Sequence, residues 1–250
     1  MSDFVQVFED RLREIETYID LLDALEKEVQ SGVPRMGATG PIITVQQQRI
    51  LYSSVYLQLY NLVESTVTGC IDGITSAIVD KGAWLPGDLS EKIRREWVRF
   101  TARTHKELNY ENRLQFALSL CEHMVHARPV ADFKVEKGAG GSWDDLSIED
   151  ICERIGLSLI ISPEVKTNAK RHFRDDQGSL TFIKNLRNSL AHGTLSFAES
   201  GDGVTVSDLR DLKERTALYL REVAHLFKAF IDTYEFLLPD RRPHDAGKSA

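Results

Sequence analysis

The longest apolar pattern of the chain runs from Val45 to Val79 and limits the fold more than any other feature of the sequence. Isoleucine, leucine and valine occur on nearly all sides of a helix through the middle of this segment. A helix that is apolar all round has to be buried, so the segment is predicted to be the central helix of a bundle. Its many β-branched residues would also suit a strand locally, but the segment is far longer than a single strand.

Amphipathic patterns on both sides supply helices that cover this central segment. The first runs from Phe4 to Gln30, with apolar residues at intervals of three and four. Further helices are predicted at residues 89–104, 109–126, 147–155, 163–173, 180–192 and 207 to about 238. Ser147 with Asp150 is predicted to form a capping box. Leu157–Ile161 is short and apolar and fits either a strand or a buried turn. The predicted fold class is all-α, a bundle of long antiparallel helices with a helical insertion.

One domain is predicted to cover residues 1–238, because 250 residues fit one large domain and the segments resemble parts of one bundle. The glycine-rich stretch 137–142 is predicted to be a flexible loop and is the best place for an internal boundary. Residues 239–250 are polar and are predicted to form a disordered tail.

Composition and charge narrow the class of protein. The three cysteines, Cys70, Cys121 and Cys152, lie far apart and form neither a disulfide framework nor a C-x-x-C motif. Acidic residues among the first nine argue against a signal peptide, and no stretch approaches 18 uninterrupted apolar residues. We therefore predict a cytoplasmic protein without a membrane partner. The net charge of −7 argues against coating nucleic acid by charge alone, but it allows an enzyme with a local basic patch.

The segment Leu180–Gly193 combines two stripes on one predicted helix. Its apolar stripe has the spacing i, i+3, i+7 and consists of Ile183, Leu186 and Leu190. A polar stripe with related spacing consists of Asn185, Asn188 and His192. Amides and the nearby guanidinium of Arg187 are natural donors to phosphate oxygens. Arg187 and His192 diverge by about 140° on an ideal helix. They meet only if the helix bends, if the arginine wraps round, or if two chains contribute.

The run Arg187-Asn188-x-x-x-His192 resembles the R-x4-6-H signature of the HEPN superfamily, including the polar residue after the arginine. The wider run Ile-Lys-x-x-Arg-Asn-x-Leu-Ala-His-Gly, followed by a long C-terminal helix, fits the same resemblance. Segments 147–197 and 60–65 further resemble a stand-alone bacterial HEPN-like nuclease branch.

This resemblance implies a homodimer in which two Arg187 and two His192 line one cleft, with Asn188 as a supporting residue. Such enzymes are metal-independent endoribonucleases that cut single-stranded RNA to 2′,3′-cyclic phosphate and 5′-OH ends, without a cofactor. A role as a toxin or an antiviral-defence effector follows, with an antitoxin or defence-system protein as partner. Some members have R-x4-H-x-Tyr, where the tyrosine is modified. Here Thr194 takes that place, so this mode of control is not expected.

Charge and polarity near this segment suggest further site residues. Between Lys166 and His192 there are six Lys and Arg against two Asp, and we predict RNA binding by Lys184, Lys170, Arg171 and Arg174. The alternative is that these basic residues simply form the solvent-exposed face of a helix. Asn185 is a predicted supporting residue. Glu64 and Asn61 lie in the most apolar helix. We predict that Glu64 contacts Arg187 or orders the site without touching the substrate, and the alternative is that it faces solvent or a neighbouring lysine.

Two other interpretations stay open at the sequence level. Cys121, His123 and His126 are close in sequence, but a fourth metal ligand is not evident and we interpret them as ordinary helix residues. The rival to the nuclease is a non-catalytic helical module that binds or scaffolds a protein or nucleotide partner. In that case Arg187 and His192 would be structural, for example as hydrogen-bonding groups across a dimer interface, and they could be sealed from solvent.

Overall fold

The computed structural model describes residues 3–37, 39–80, 83–104, 106–136, 142–174 and 176–243. Within these ranges the regular structure is entirely helical, which confirms the all-α prediction. The helices are α1 (Phe4–Ser31), α2 (Val45–Val79), α3 (Glu91–Thr101), α4 (Tyr110–Val125), α5 (Asp145–Ile155), α6 (Pro163–Lys170), α7 (Ser179–Ala191), α8 (Phe197–Ser200) and α9 (Val206–Asp232). A 3-10 turn, Pro239–Arg241, follows.

The three long helices α1, α2 and α9 form the core. Antiparallel packing of α1 on α2 is shown by the Tyr18 hydroxyl, which donates to the Leu51 carbonyl at 3.1 Å, while Phe4 lies against Gly73 at the other end. Ion pairs at both ends align α9 antiparallel to α1, namely Arg210 with Asp20 and Arg221 with Glu9. The predicted arrangement of long antiparallel helices is confirmed.

Helix α2 is the central helix, as its pattern predicts. A capping box between Thr44 and Gln47 starts it, and α1, α7, α8 and α9 pack around it. By length and composition alone α2 is apolar enough to cross a membrane, but 56% of the relevant window is buried inside the protein. Its apolar residues therefore serve packing between helices.

Helices α3, α4 and α5 form the helical insertion beside this core. The carboxylate of Glu96 on α3 is only 2% exposed and accepts hydrogen bonds from Arg99 and from Arg154 of α5. A buried carboxylate is costly unless it is paired. Arg99 of the same helix and Arg154 both pair with it, and the Arg154 pair fixes α5 against α3. Leu89 bridges to Leu237, which ties the insertion to the C-terminal segment.

Several predicted helix ends are wrong, and each has a local reason. Asp144 caps α5 and Ser147 occupies the third position, so the capping box is Asp144/Ser147 rather than Ser147/Asp150. Thr205, not Ser207, caps α9. That helix ends at Asp232 rather than near residue 238, because Tyr234 has a φ of 54° and the following apolar residues turn back onto Leu89.

Other differences lie in the connections. Helix α6 ends three residues early, because the chain becomes extended at Arg171 and turns towards α7. Leu157–Ile161 is neither helix nor strand, and its two end residues are buried. The short helix α8 was not predicted. The predicted tail begins too early, because Pro239–Arg241 is ordered and Arg241 pairs with Asp88. The predicted flexible loop lies outside the described residues except for Ser142, as do residues 244–250 of the tail.

Candidate functional site

Helix α7 is buried at its start and opens to the surface towards its end. Gly178 allows the close start, since a Cβ there would lie 2.7 Å from the Ala169 carbonyl oxygen. Phe182 packs edge-on against Tyr56 of α2 with 5.7 Å between ring centroids, and Ile183 is also buried. From Lys184 onward the residues are half-buried or exposed. The second half of α7 therefore presents its polar side chains at the rim of the bundle.

Arg187 is held in place by two neighbours. Its guanidinium lies over the ring of Tyr60 on α2, 4.5 Å from the centroid, and donates to the Asn188 side-chain oxygen at 3.0 Å. The ring beneath it is 2% exposed, whereas Arg187 itself is half-buried. One face of the guanidinium is therefore packed against a ring, and the hydrogen bond to Asn188 uses one of its five N–H donors.

His192 lies at the end of α7 as the C-cap residue and is exposed. The helix ends in a Schellman motif: the Thr194 amide donates to the Ser189 carbonyl at 3.0 Å, and the Gly193 amide to the Leu190 carbonyl at 3.2 Å. Gly193 has a φ of 69°, the left-handed conformation that this motif requires. The His-Gly pair thus fixes the imidazole at the last turn of the helix.

Within one chain, Arg187 and His192 are not brought together. The helix stays regular through Ala191, so the divergence that their spacing predicts is retained. Arg187 turns inward to Tyr60 while His192 faces solvent. In the described part of the chain no hydrogen bond joins the two side chains, and the Arg187 guanidinium contacts Tyr60 and Asn188 instead.

The predicted RNA-binding cations do not form an uncompensated patch. Each has an acceptor: Lys184 pairs with Asp144, Lys170 with Asp145 and Glu149, Arg171 with Asp211, and Arg174 donates to the Gly203 carbonyl. The positive charge counted along the sequence is therefore largely compensated in space by acids of α5 and α9. Asn185 is exposed and donates to the Gln177 side chain at 2.9 Å.

The Asp144–Lys184 pair has a clear electrostatic effect. Burial by itself raises the pKa of Asp144, but hydrogen bonds from Lys184 and Ser147 outweigh it and hold the pKa below its usual value. The same carboxylate caps α5 and anchors α7. Lys184 is therefore a structural residue in this state of the chain.

Glu64 and Asn61 line a groove of about 620 Å³ between α1 and α2, together with Arg11, Glu14, Ile15, Gln58, Leu62, Ser65 and Thr68. Glu64 is half-buried and Asn61 exposed. Glu64 and Arg187, both among the described residues, form no ion pair, so the structure does not show the direct contact that was one of the alternatives for Glu64. On α2, Glu64 nevertheless lies one turn after Tyr60, which carries Arg187.

Cysteine and histidine residues show no sign of a metal centre in the described part of the chain. The ring of His123 packs edge-on against Trp97, with 5.6 Å between centroids. Cys70 and Cys152 are buried thiols, and burial raises the pKa of Cys152 to about 12.

Sequence reasoning missed two residues that position the site, Tyr60 and Asp144. Tyr60 opens the short segment that we singled out on α2, but tyrosine in a buried helix is usually an ordinary core residue. Asp144 directly precedes the predicted α5 and is a common N-cap residue type, so the signal was present.

A family model described as MAE_28990-like HEPN matches residues 2–236. Neither a curated protein nor a solved structure gives a significant match. The match spans nearly the whole chain and includes α2 and α7, on which Tyr60, Arg187 and His192 lie. The chain therefore belongs to the HEPN superfamily.

Proposed function

We propose that this protein is a metal-independent endoribonuclease that cleaves single-stranded RNA with Arg187 and His192. One observation carries the proposal. In this HEPN chain, helix α7 holds the guanidinium of Arg187 against Tyr60 and ends at the exposed His192. A catalytic pair has to be reachable from solvent, and Arg187 is half-buried and His192 exposed. Arg187 and His192 are the catalytic pair, and Asn188 supports Arg187 through its side-chain oxygen.

The chemistry suits these residue types. The 2′-oxygen of a nucleotide attacks its own 3′-phosphorus, the bond to the 5′-oxygen breaks, and the products are a 2′,3′-cyclic phosphate and a 5′-OH end. One group takes the proton of the 2′-OH and another delivers a proton to the leaving oxygen, and histidine does both near neutral pH. The guanidinium of Arg187 stabilises the charge that develops on the phosphorane oxygens.

Two copies of the chain complete this site. Within one chain Arg187 packs on Tyr60 while His192 is exposed to solvent. We therefore expect the Arg187 of one copy to act together with the His192 of the other copy in a shared cleft. Two histidines in one cleft also supply both proton transfers. A homodimer around the exposed half of α7 is therefore part of the proposal.

The test is incubation of purified protein with total RNA in excess EDTA. We expect cleavage by the wild type, and loss of cleavage in His192→Ala and Arg187→Ala. His126→Ala is the matched control, because His126 is also an exposed C-cap histidine, on α4. Equal cleavage by wild type and His192→Ala would refute the proposal.

The cellular role is proposed from the family alone, as a cytoplasmic toxin or antiviral-defence effector with an antitoxin or defence-system partner. Overproduction should then arrest growth, and His192→Ala should relieve the arrest. Arrest that persists in both His192→Ala and Arg187→Ala would separate toxicity from this site.

A non-catalytic binding module is the second candidate, and the compensated charges around α7 favour it. RNA or nucleotide binding that survives in a folded dimer without any cleavage would support this candidate.

A further inference from the structure

The groove between α1 and α2 has the size and lining of a small ligand site. Its volume of about 620 Å³ falls in the usual range for such sites. Ile15 and Leu62 form an apolar floor, and both are almost fully buried. Half-buried Gln58 and Glu64 stand on the α2 side, and exposed Arg11 stands at the rim on α1. An apolar floor with polar walls suits a flat, polar-edged molecule.

Several polar side chains of this groove form no hydrogen bond or ion pair with the rest of the described chain, although Ser65 donates to the Leu62 carbonyl and Thr68 also has a partner. Among the described residues, five of its side chains have no hydrogen-bond or ion-pair partner: Arg11, Glu14, Gln58, Asn61 and Glu64. Neighbouring acids of α1 are paired, as Glu9 is with Arg221 and Glu16 with Lys213. The two half-buried members, Gln58 and Glu64, therefore keep hydrogen-bonding groups that a ligand in the groove can use.

The groove lies beside the proposed catalytic arginine. Tyr60 carries the Arg187 guanidinium, and Asn61 is the next residue of α2. Glu64 follows one helical turn later, about 40° round the helix from Tyr60. The Arg187 site and the groove thus share one stretch of α2.

The charge of the groove favours a base over a phosphate. Two carboxylates and one guanidinium give a net charge of −1, which repels a phosphate. Carboxylates accept from N–H donors, and guanine presents two adjacent donors, N1–H and N2–H, on one edge. An amide such as that of Asn61 donates to the O6 acceptor beside them.

We propose that the α1–α2 groove binds the guanine base of a nucleotide adjacent to the cleaved phosphate. Glu64 accepts from N1–H and N2–H, Asn61 donates to O6, and the base lies over Ile15 and Leu62. The proposal rests on the proposed ribonuclease function and adds a base preference to it. Glu64 is then a specificity residue that touches the substrate, and it acts without contact to Arg187.

The test compares cut sites of the wild type, Glu64→Gln and a control across a mixed RNA pool. We expect the wild type to prefer guanine at one fixed position next to the cut. In Glu64→Gln this preference should fall about tenfold or more, because one acceptor is replaced by a donor. Glu111→Gln is the matched control, an exposed glutamate in the first turn of α4, and should keep the wild-type preference.

A binding measurement separates failure of this proposal from failure of the nuclease function. Calorimetry measures the binding of guanosine, adenosine and uridine monophosphates to the wild type and to Glu64→Gln. Melting curves verify that both proteins are folded. Preferential guanosine monophosphate binding that weakens in Glu64→Gln supports the groove site even if no RNA is cut. Three outcomes would overturn the groove proposal. They are cleavage without base preference, an unchanged base preference in Glu64→Gln, and absence of nucleotide binding when no RNA is cut.

Discussion

Arg187 depends on a neutral aromatic ring for its position. Its guanidinium rests on Tyr60, and its other internal contact is the side chain of the next residue. The Tyr60 hydroxyl has no hydrogen-bond partner in the described part of the chain, so the ring is the part of this side chain that matters for Arg187.

We expect Tyr60→Leu to lower kcat for RNA cleavage about fivefold, corresponding to about 1 kcal/mol of lost cation–π interaction. Tyr60→Phe keeps the ring and should keep kcat. Melting temperatures of both variants monitor the core, because Tyr60 is buried. A phenylalanine variant as impaired as the leucine variant would show that the hydroxyl, and not the ring, serves the site.

Gly193 determines how the chain leaves His192. Its φ of 69° costs an L-residue strain, although a Cβ would meet open space. Gly193→Ala should lower the free energy of unfolding by about 1 kcal/mol, and Gly193→Asn by less, because asparagine tolerates the left-handed region. Chemical denaturation measures both. Equal stability of the glycine and alanine proteins would contradict the Schellman ending.

At the scale of elements, Asp144 links α5 to α7. It caps α5 and pairs with Lys184, which lies one turn before Arg187. Lys184, which was predicted to bind RNA, therefore already forms an ion pair within the chain.

Asp144→Asn separates the two roles, because asparagine caps a helix as well as aspartate but cannot pair with Lys184. The folded pKa of Asp144 is depressed, so its contribution to stability is complete above its usual pKa of 3.8 and is lost as pH falls through the folded value. The wild type should therefore be more stable than Asp144→Asn at pH 7, and the difference should shrink below about pH 4. Urea unfolding at several pH values tests this. A difference independent of pH would contradict the ion pair.

Helix ends were predictable from the sequence where residues close in the chain determine them. Val45–Val79 was predicted with its observed ends, because its apolar pattern is long and continuous. The end of α9 was not, because Phe236 and Leu237 continue the apolar pattern but are buried by a turn back to Leu89. Such a contact between distant segments leaves no periodic signal.

The sequence singles out the residues of the candidate site, but it does not show which other residues surround them in the fold. Arg187, Asn188 and His192 stand out as polar groups beside an apolar stripe. Whether Lys170 or Arg171 is free depends on acids of α5 and α9, which come close only in the folded chain. For the same reason Glu64 lines a groove instead of meeting Arg187.

For the whole molecule, the separation of Arg187 from His192 within one chain predicts a dimer. Analytical ultracentrifugation should give the mass of two 28.3 kDa chains under conditions where RNA is cleaved. Activity that stays proportional to concentration when the protein is diluted into a purely monomeric state would contradict the shared cleft.

The ribonuclease assignment is tested most directly by removing the nucleophile from the RNA. After a cut site has been mapped, the same RNA is made with a single 2′-deoxynucleotide at that position and incubated with the protein in excess EDTA. We expect that cleavage there stops, while the unmodified RNA yields a 2′,3′-cyclic phosphate and a 5′-OH end. Cleavage of the 2′-deoxy substrate at the same bond would contradict the proposed chemistry of Arg187 and His192.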